Sequence, residues 1–264
     1  MRVGVIGLGV VGGALAEIVS ELGYDVGKYD PHKDYADPDD LAGCELIFLC
    51  VWTPMSERGL DVTDVFAAAK VAVGYEPPLV VVRSTVPPGA MTALAKAYPG
   101  QHFAFVPEFL VERDPYGSTR SADRIVIGSD RGEGDAREAI LALEDLLRGV
   151  SPGSPIVRMN PEEAVMVKLA SNGLLAAKVA VAVELHDLAG LYGVDWEKVR
   201  GAVGLDRRIG PSHLAVTAEH GYGGSCFPKD VRGLITAARM GGIEPTILEE
   251  IERANEARWR GASR

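Results

Sequence analysis

The chain has 264 residues, with 27 Lys+Arg against 37 Asp+Glu, a net charge of −10 and an apolar fraction of 47%. This balance offers no basic stripe for a phosphate backbone, which argues against nucleic acid as a partner. It leaves room for a small anion held by local cations and backbone amides, and the apolar content excludes disorder.

Short β-rich runs at residues 3–6, 25–29, 46–51, 79–83, 102–105 and 125–127 alternate with helical patterns at 12–22, 63–73, 91–98 and 134–147. Such alternation predicts repeated βαβ units. The run Leu46-Ile47-Phe48-Leu49-Cys50-Val51 is continuously apolar, as strands of a parallel sheet covered on both faces are. The expected fold class is α/β: an N-terminal doubly wound Rossmann-type sheet, then an all-helical domain with a long central helix.

Residues 149–159 are rich in Gly, Pro and Ser and read as a connector with a short strand near 156–158. Asn160 then caps a helix, with Pro161 at its first position and Glu163 completing a capping box. The helix is expected to run to about Tyr192 and stop at Gly193. It is apolar on most of its circumference, which predicts burial between domains or against a second subunit. The remainder reads as helices and loops. The predicted domains are 1–155, dinucleotide-binding, and 156–264, helical.

Gly7, Gly9 and Gly12 form G-x-G-x-x-G between the first strand and the first helix. Glycines there permit a tight turn and a close backbone approach to a pyrophosphate seated on the helix N-terminus. Asp30 ends the second strand, where its carboxylate would accept from a ribose 2′-hydroxyl and repel a 2′-phosphate. NAD is therefore the expected cofactor. Thr53-Pro54 and the segment 84–89, which includes Thr85, each follow a buried strand and so face the ligand crevice of an open sheet; as isolated segments they also read as ordinary turns.

Lys168 and Asn172 lie four apart on the long helix and share a face. A lysine there needs a partner or a site, although a snorkelling lysine fits as well. The segment Gly221-Tyr222-Gly223-Gly224-Ser225-Cys226-Phe227-Pro228-Lys229-Asp230 delivers a cysteine on a glycine loop to a helix start. Helix position and the nearby Lys229 favour a thiolate, so Cys226 is the expected nucleophile, with Asp230 one turn on. Cys44 and Cys50 read as inert core thiols. Glu108 and Glu112 follow another strand, where they could serve as base and cofactor contact or be solvated loop charges. The five histidines lack metal-ligand spacing, so no metal is expected. The strand pattern starts at the first residues, which predicts no signal peptide. No apolar run is expected to be long enough to span a bilayer, and a reduced, cytoplasmic setting follows.

Together these segments resemble the UDP-glucose/GDP-mannose dehydrogenase family. The matching pieces, in the family's order, are GLGVVG, VWTP at 51–54, STVPPG at 84–89, PEFLVE at 107–112, DRIVIG at 123–128, KLASN at 168–172, RIG at 208–210 and GYGGSCFPKD at 221–230. The resemblance implies oxidation of a nucleotide sugar's primary alcohol to a carboxylate with two NAD, through a thiohemiacetal and thioester on Cys226. By the same resemblance Lys168 and Asn172 stabilise the oxyanion, Asp230 holds a water and Lys168, and Glu108 is the hydrolytic base. Gly7, Gly9, Gly12, Asp30, Thr53, Thr85, Glu112 and Lys229 fall on the cofactor side, and Arg208 and Gly223 on the substrate side. The long helix is expected to pair with its mate in a homodimer.

Val106 stands where the family usually has Asn, and Glu219-His220 where small residues often precede the glycine loop. The family also continues past the helix ending near Asn255 into a domain that grips the nucleotide; the sequence reads either as a fragment or as a short form that binds something different or takes that part from a partner. Two other readings are kept: a two-electron NAD-dependent hydroxyacid dehydrogenase, and a NAD-binding non-catalytic protein.

Overall fold

The structure, a computed structural model, describes residues 1–130 and 135–259. The start expected for the 134–147 helix, Gly134, lies outside them. The elements in chain order are β1 (Arg2–Ile6), α1 (Val10–Glu21), β2 (Asp25–Tyr29), β3 (Leu46–Leu49), β4 (Met55–Ser56), β5 (Gly59–Leu60), α2 (Thr63–Val73), β6 (Leu79–Val82), α3 (Ala90–Ala97), β7 (Phe103–Phe105), α4 (Pro115–Arg120), β8 (Ile125–Ser129), α5 (Asp135–Val150), β9 (Ile156–Met159), α6 (Pro161–Leu191), α7 (Trp196–Gly204), α8 (Phe227–Met240) and α9 (Thr246–Arg258). Two compact units result: Met1–Pro54 with Asp61–Lys168, and Met55–Leu60 with Leu169–Arg264.

In the first unit the apolar runs form a seven-stranded sheet in the order β2-β1-β3-β6-β7-β8-β9. Both faces of β3 and β6 are covered, and every residue in them is buried. Each large apolar side chain removed from water here contributes about 1.5–3 kcal/mol. Within this sheet β2, β1, β3, β6 and β7 are parallel, β8 runs antiparallel to β7, and β9 runs parallel to β8. The reversal follows from the connection. Residues 106–124 fold around the short helix α4 and re-enter from the end where β7 leaves. That keeps the segment 107–112 at the C-terminal edge of the parallel strands. Strand order switches at β1, so β2 and β3 flank it and open the crevice used by ligands of doubly wound sheets.

The second unit is helical apart from the β4–β5 hairpin. The hairpin packs on α8, where a Cβ at Gly233 would come within 3.1 Å of Leu60. Its core gathers Ala176, Ala180, Tyr222, Val231 and Ile235, with a satellite of Ala182, Trp196 and Leu214.

The long helix begins at the expected box: the Asn160 side chain accepts from the Glu163 amide at 2.8 Å, and Glu163 accepts from the Asn160 amide at 2.8 Å. Burial on all sides, however, is not found. Leu174, Val181, Leu185 and Leu188 are exposed, the first at 73%. These positions are 7, 4 and 3 apart and form one stripe that the chain's own fold leaves uncovered. The expectation about apolar runs also needs correction. By length and composition α6 could cross a membrane, with a mean hydropathy of 1.5 over its most apolar 18 residues. Half of that stretch is buried inside the protein, and the helix carries the buried polar residues Lys168 and Asn172.

Candidate active site

The glycine turn has the tight geometry that its residues allow. Gly7 has φ +85°, and a Cβ there would sit 2.8 Å from the Cys50 carbonyl oxygen. A Cβ at Gly12 would collide with the Gly7 carbonyl oxygen, whereas one at Gly9 would meet nothing within 4 Å. Two glycines thus permit close chain packing, and the third leaves open space at the N-cap of α1, which has no side-chain cap. Unfilled space beside uncapped amides at a helix N-terminus suits a pyrophosphate. Asp30 is 8% exposed; one oxygen accepts from the Leu8 amide at 2.8 Å and the other from the His32 amide at 3.1 Å. Each oxygen keeps lone pairs for a ribose hydroxyl. These residues fit a bound dinucleotide.

Thr53 and Thr85 are buried just beyond β3 and β6. Between them Ser84 donates to the Val51 carbonyl at 2.7 Å, which ties the two strand exits together. Glu108 and Glu112 part company. Glu108 is buried, while Glu112 is exposed on the turn closed by the Val111–Asp114 bridge. Lys168 Nζ donates to Glu108 Oε1 at 2.7 Å and to the Glu108 carbonyl at 2.8 Å, and it lies 5.6 Å from the centre of the Phe109 ring. Burial opposes ionisation of Glu108. The Lys168 charge and hydrogen bond, the Leu110 amide and the Arg83 charge outweigh it and hold the carboxyl below the usual glutamate range. Arg83 is itself buried behind this carboxylate, a cation that sequence reading had not singled out.

In the second unit Cys226 is the N-cap of α8, reached through Gly224 at φ +77°, with Pro228 in the first turn. Its sulfur lies 3.6 Å from the Ser225 hydroxyl. Asp230 is fully buried in that first turn. It accepts from Asn172 Nδ2 at 2.5 Å and from Lys229 Nζ at 2.6 Å. Within their own units, Lys168 pairs with Glu108 and Asp230 with Asn172 and Lys229. Arg208 is exposed and bound to Asp206 two residues away. Burial pushes the Cys50 thiol up to about 12 and raises that of Cys44, as expected of inert core thiols.

The histidines are less scattered than their spacing suggests. His220 Nε2 lies 2.7 Å and His186 Nδ1 3.2 Å from one oxygen of Asp187, whose other oxygen faces Arg258 at 3.5 Å. Partial burial opposes ionisation of Asp187, but both histidines hold its carboxyl below the usual aspartate range. His186, Asp187 and His220, scattered in sequence, thus bring ligand-type atoms within 4.8 Å of one another.

The profile of the UDP-glucose/GDP-mannose dehydrogenase family's NAD binding domain matches residues 27–142, and that of its central domain matches residues 162–257. UDP-glucose 6-dehydrogenase AglM of Haloferax volcanii is 30% identical over 97% of this chain and 70% of its own length. UDP-glucose 6-dehydrogenase of Pseudomonas aeruginosa is 38% identical over 82% of this chain, which spans only 49% of that relative. The solved structure of a UDP-glucose dehydrogenase from Pyrobaculum islandicum superposes with a TM-score of 0.84 at 33% identity, covering 97% of this chain and 68% of that one. The chain belongs to the UDP-glucose/GDP-mannose dehydrogenase family.

Proposed function

We propose that the chain carries the catalytic machinery for NAD-dependent, four-electron oxidation of a primary alcohol to a carboxylate, on a nucleotide sugar such as UDP-glucose. The observation that carries this reading is Cys226 at the N-cap of α8, with Lys229 and Asp230 buried in the following turn. Bound NAD supplies the hydride acceptor for both oxidation steps.

The chain's own residues do the rest. Gly9 and the first amides of α1 hold the pyrophosphate, and Asp30 orients the ribose. Cys226 adds as thiolate to the aldehyde carbon, giving a thiohemiacetal whose oxygen takes up a proton. Loss of that proton and of a second hydride leaves a thioester. Water then attacks the acyl carbon, the carboxylate departs, and the thiolate is restored. Asn172 offers a side-chain amide to the developing oxyanion, and Lys168, one turn away on α6, offers a charge. Glu108 is already ionised, so it can accept the proton of the hydrolytic water. Arg208 and Gly223 are assigned to the substrate side, Thr53, Thr85, Glu112 and Lys229 to the cofactor side.

The uncovered stripe of α6 supports a homodimer through this helix, because a face this apolar is stabilised by burial against a second copy. Three free thiols accord with a reducing, cytoplasmic setting. The alignment with the bacterial relative covers about half of that protein, so the assay also includes a separately supplied partner carrying the rest.

The deciding experiment counts NADH per UDP-glucose consumed, with and without such a partner. Two NADH and a uronate product support the reading. One NADH per substrate points to the two-electron dehydrogenase, and no turnover with intact NAD binding to a non-catalytic protein.

A further inference from the structure

The loop ahead of Cys226 has three glycines in four residues, Gly221, Gly223 and Gly224. Such a segment loses more backbone entropy on ordering than any other, so something must hold it. The structure shows what does. Asn255 on α9 accepts from the Tyr222 amide at 2.7 Å and donates to the Tyr222 carbonyl at 2.8 Å, gripping both polar groups of one backbone residue. The Tyr222 hydroxyl donates to Glu252 at 2.8 Å, one turn earlier on α9, and Arg232 of α8 pairs with the other Glu252 oxygen at 2.5 Å. Tyr222, Glu252 and Asn255 are all buried. A Cβ at Gly221 would sit 2.5 Å from the Asn255 side-chain oxygen, and one at Gly223 would collide with the Trp259 ring. The glycines are therefore the counterface on which α9 lies.

We propose that α9 straps the nucleophile loop, and that Asn255 is the positioning residue that fixes Tyr222 and so delivers Cys226 to the N-terminus of α8. Glu252 and Trp259 complete the strap. The proposal rests on the reading of Cys226 as the nucleophile, but its test does not require turnover. A thiol held at a helix N-terminus is favoured as thiolate, and one on a slack loop loses that advantage. Lys229 and Asp230, the charged groups of the same helix turn, stay in place in every variant below.

The experiment measures carbamidomethylation of Cys226 by iodoacetamide against pH in the full chain, read by mass spectrometry of the Cys226 peptide. Unchanged NAD titration and far-UV spectrum confirm folding. Asn255→Ala is expected to move the pH midpoint up by about one unit, toward an ordinary thiol near 8.5. A folded Asn255→Ala with the wild-type midpoint overturns the proposal. Should that variant not fold, Gly223→Ala decides. It must raise the midpoint, because the added Cβ would push the Trp259 ring off the loop. Gly223→Ala with an unmoved midpoint overturns the proposal equally. If Cys226→Ser retains full turnover, the nucleophile reading fails on its own, independently of these midpoints.

Discussion

Lys168 and Glu108, 60 residues apart in sequence, form a buried ion pair, with Nζ 2.7 Å from Oε1 and 2.8 Å from the Glu108 carbonyl oxygen. The ammonium therefore spans side chain and backbone of one residue. It fixes the start of the 108–112 loop at the C-terminal edge of the sheet. Removing one partner strands the other charge in the core. Lys168→Ala is expected to lower unfolding free energy by about 3 kcal/mol or more, as loss of one member of a buried pair does. Urea titration checks this, and Lys168→Met combined with Glu108→Gln should recover most of the loss.

The same pair predicts a pH dependence. The carboxyl of Glu108 is held below its ordinary value, so folding favours the ionised form. Its contribution is full above the unfolded glutamate value of about 4.3 and is lost as pH falls through the lower folded value. The urea midpoint should be flat in this respect above pH 5 and decline below about 4. Glu108→Gln should flatten that acid limb; an unchanged acid limb would contradict the assignment.

Cys226→Ser is expected to abolish carboxylate formation while NAD affinity stays at the wild-type value. Isothermal titration and product analysis read the two quantities separately. Acid production at the native rate would exclude the covalent route.

Asp30→Asn keeps an acceptor for the Leu8 amide but loses the charge. Hydrogen bonds to charged groups contribute about 1.5–3 kcal/mol, so NAD should bind roughly 10- to 100-fold more weakly. Preference for NAD over NADP should narrow as well, because the repulsion of a 2′-phosphate disappears. Nicotinamide fluorescence titrations with both cofactors test this.

Val181→Glu with Leu188→Glu places charge on the exposed stripe of α6 without touching its buried side. The expected result is a monomeric mass by light scattering, where the proposed homodimer requires a dimeric mass for the parent chain, and an unaltered melting curve at low concentration.

Alkylation of the native chain should label Cys226 long before Cys44 and Cys50. Burial raises both core thiols, that of Cys50 to about 12. Equal labelling of all three under native conditions would show that the core opens.

What the sequence determined by itself is what neighbouring residues encode. The turn at Gly7, Gly9 and Gly12, the Asn160–Glu163 box and the arrival of Cys226 at a helix start are each written within a few positions, because backbone dihedrals and capping are local. Hydrophobic runs likewise announced the sheet, since strands covered on both faces carry no polar alternation. Only the tertiary structure decided which side chains meet. It gave Lys168 to Glu108 and left Asp230 to Asn172 and Lys229. It turned β8 against β7, and it left one stripe of α6 uncovered by the chain's own fold, where apolar content had predicted burial between domains or against a second subunit. It also brought Asn255 onto Tyr222 across 33 residues. Periodicity specifies the face a residue occupies and not the partner opposite; that choice belongs to packing between distant segments, where a buried polar group takes whichever partner satisfies its hydrogen bonds.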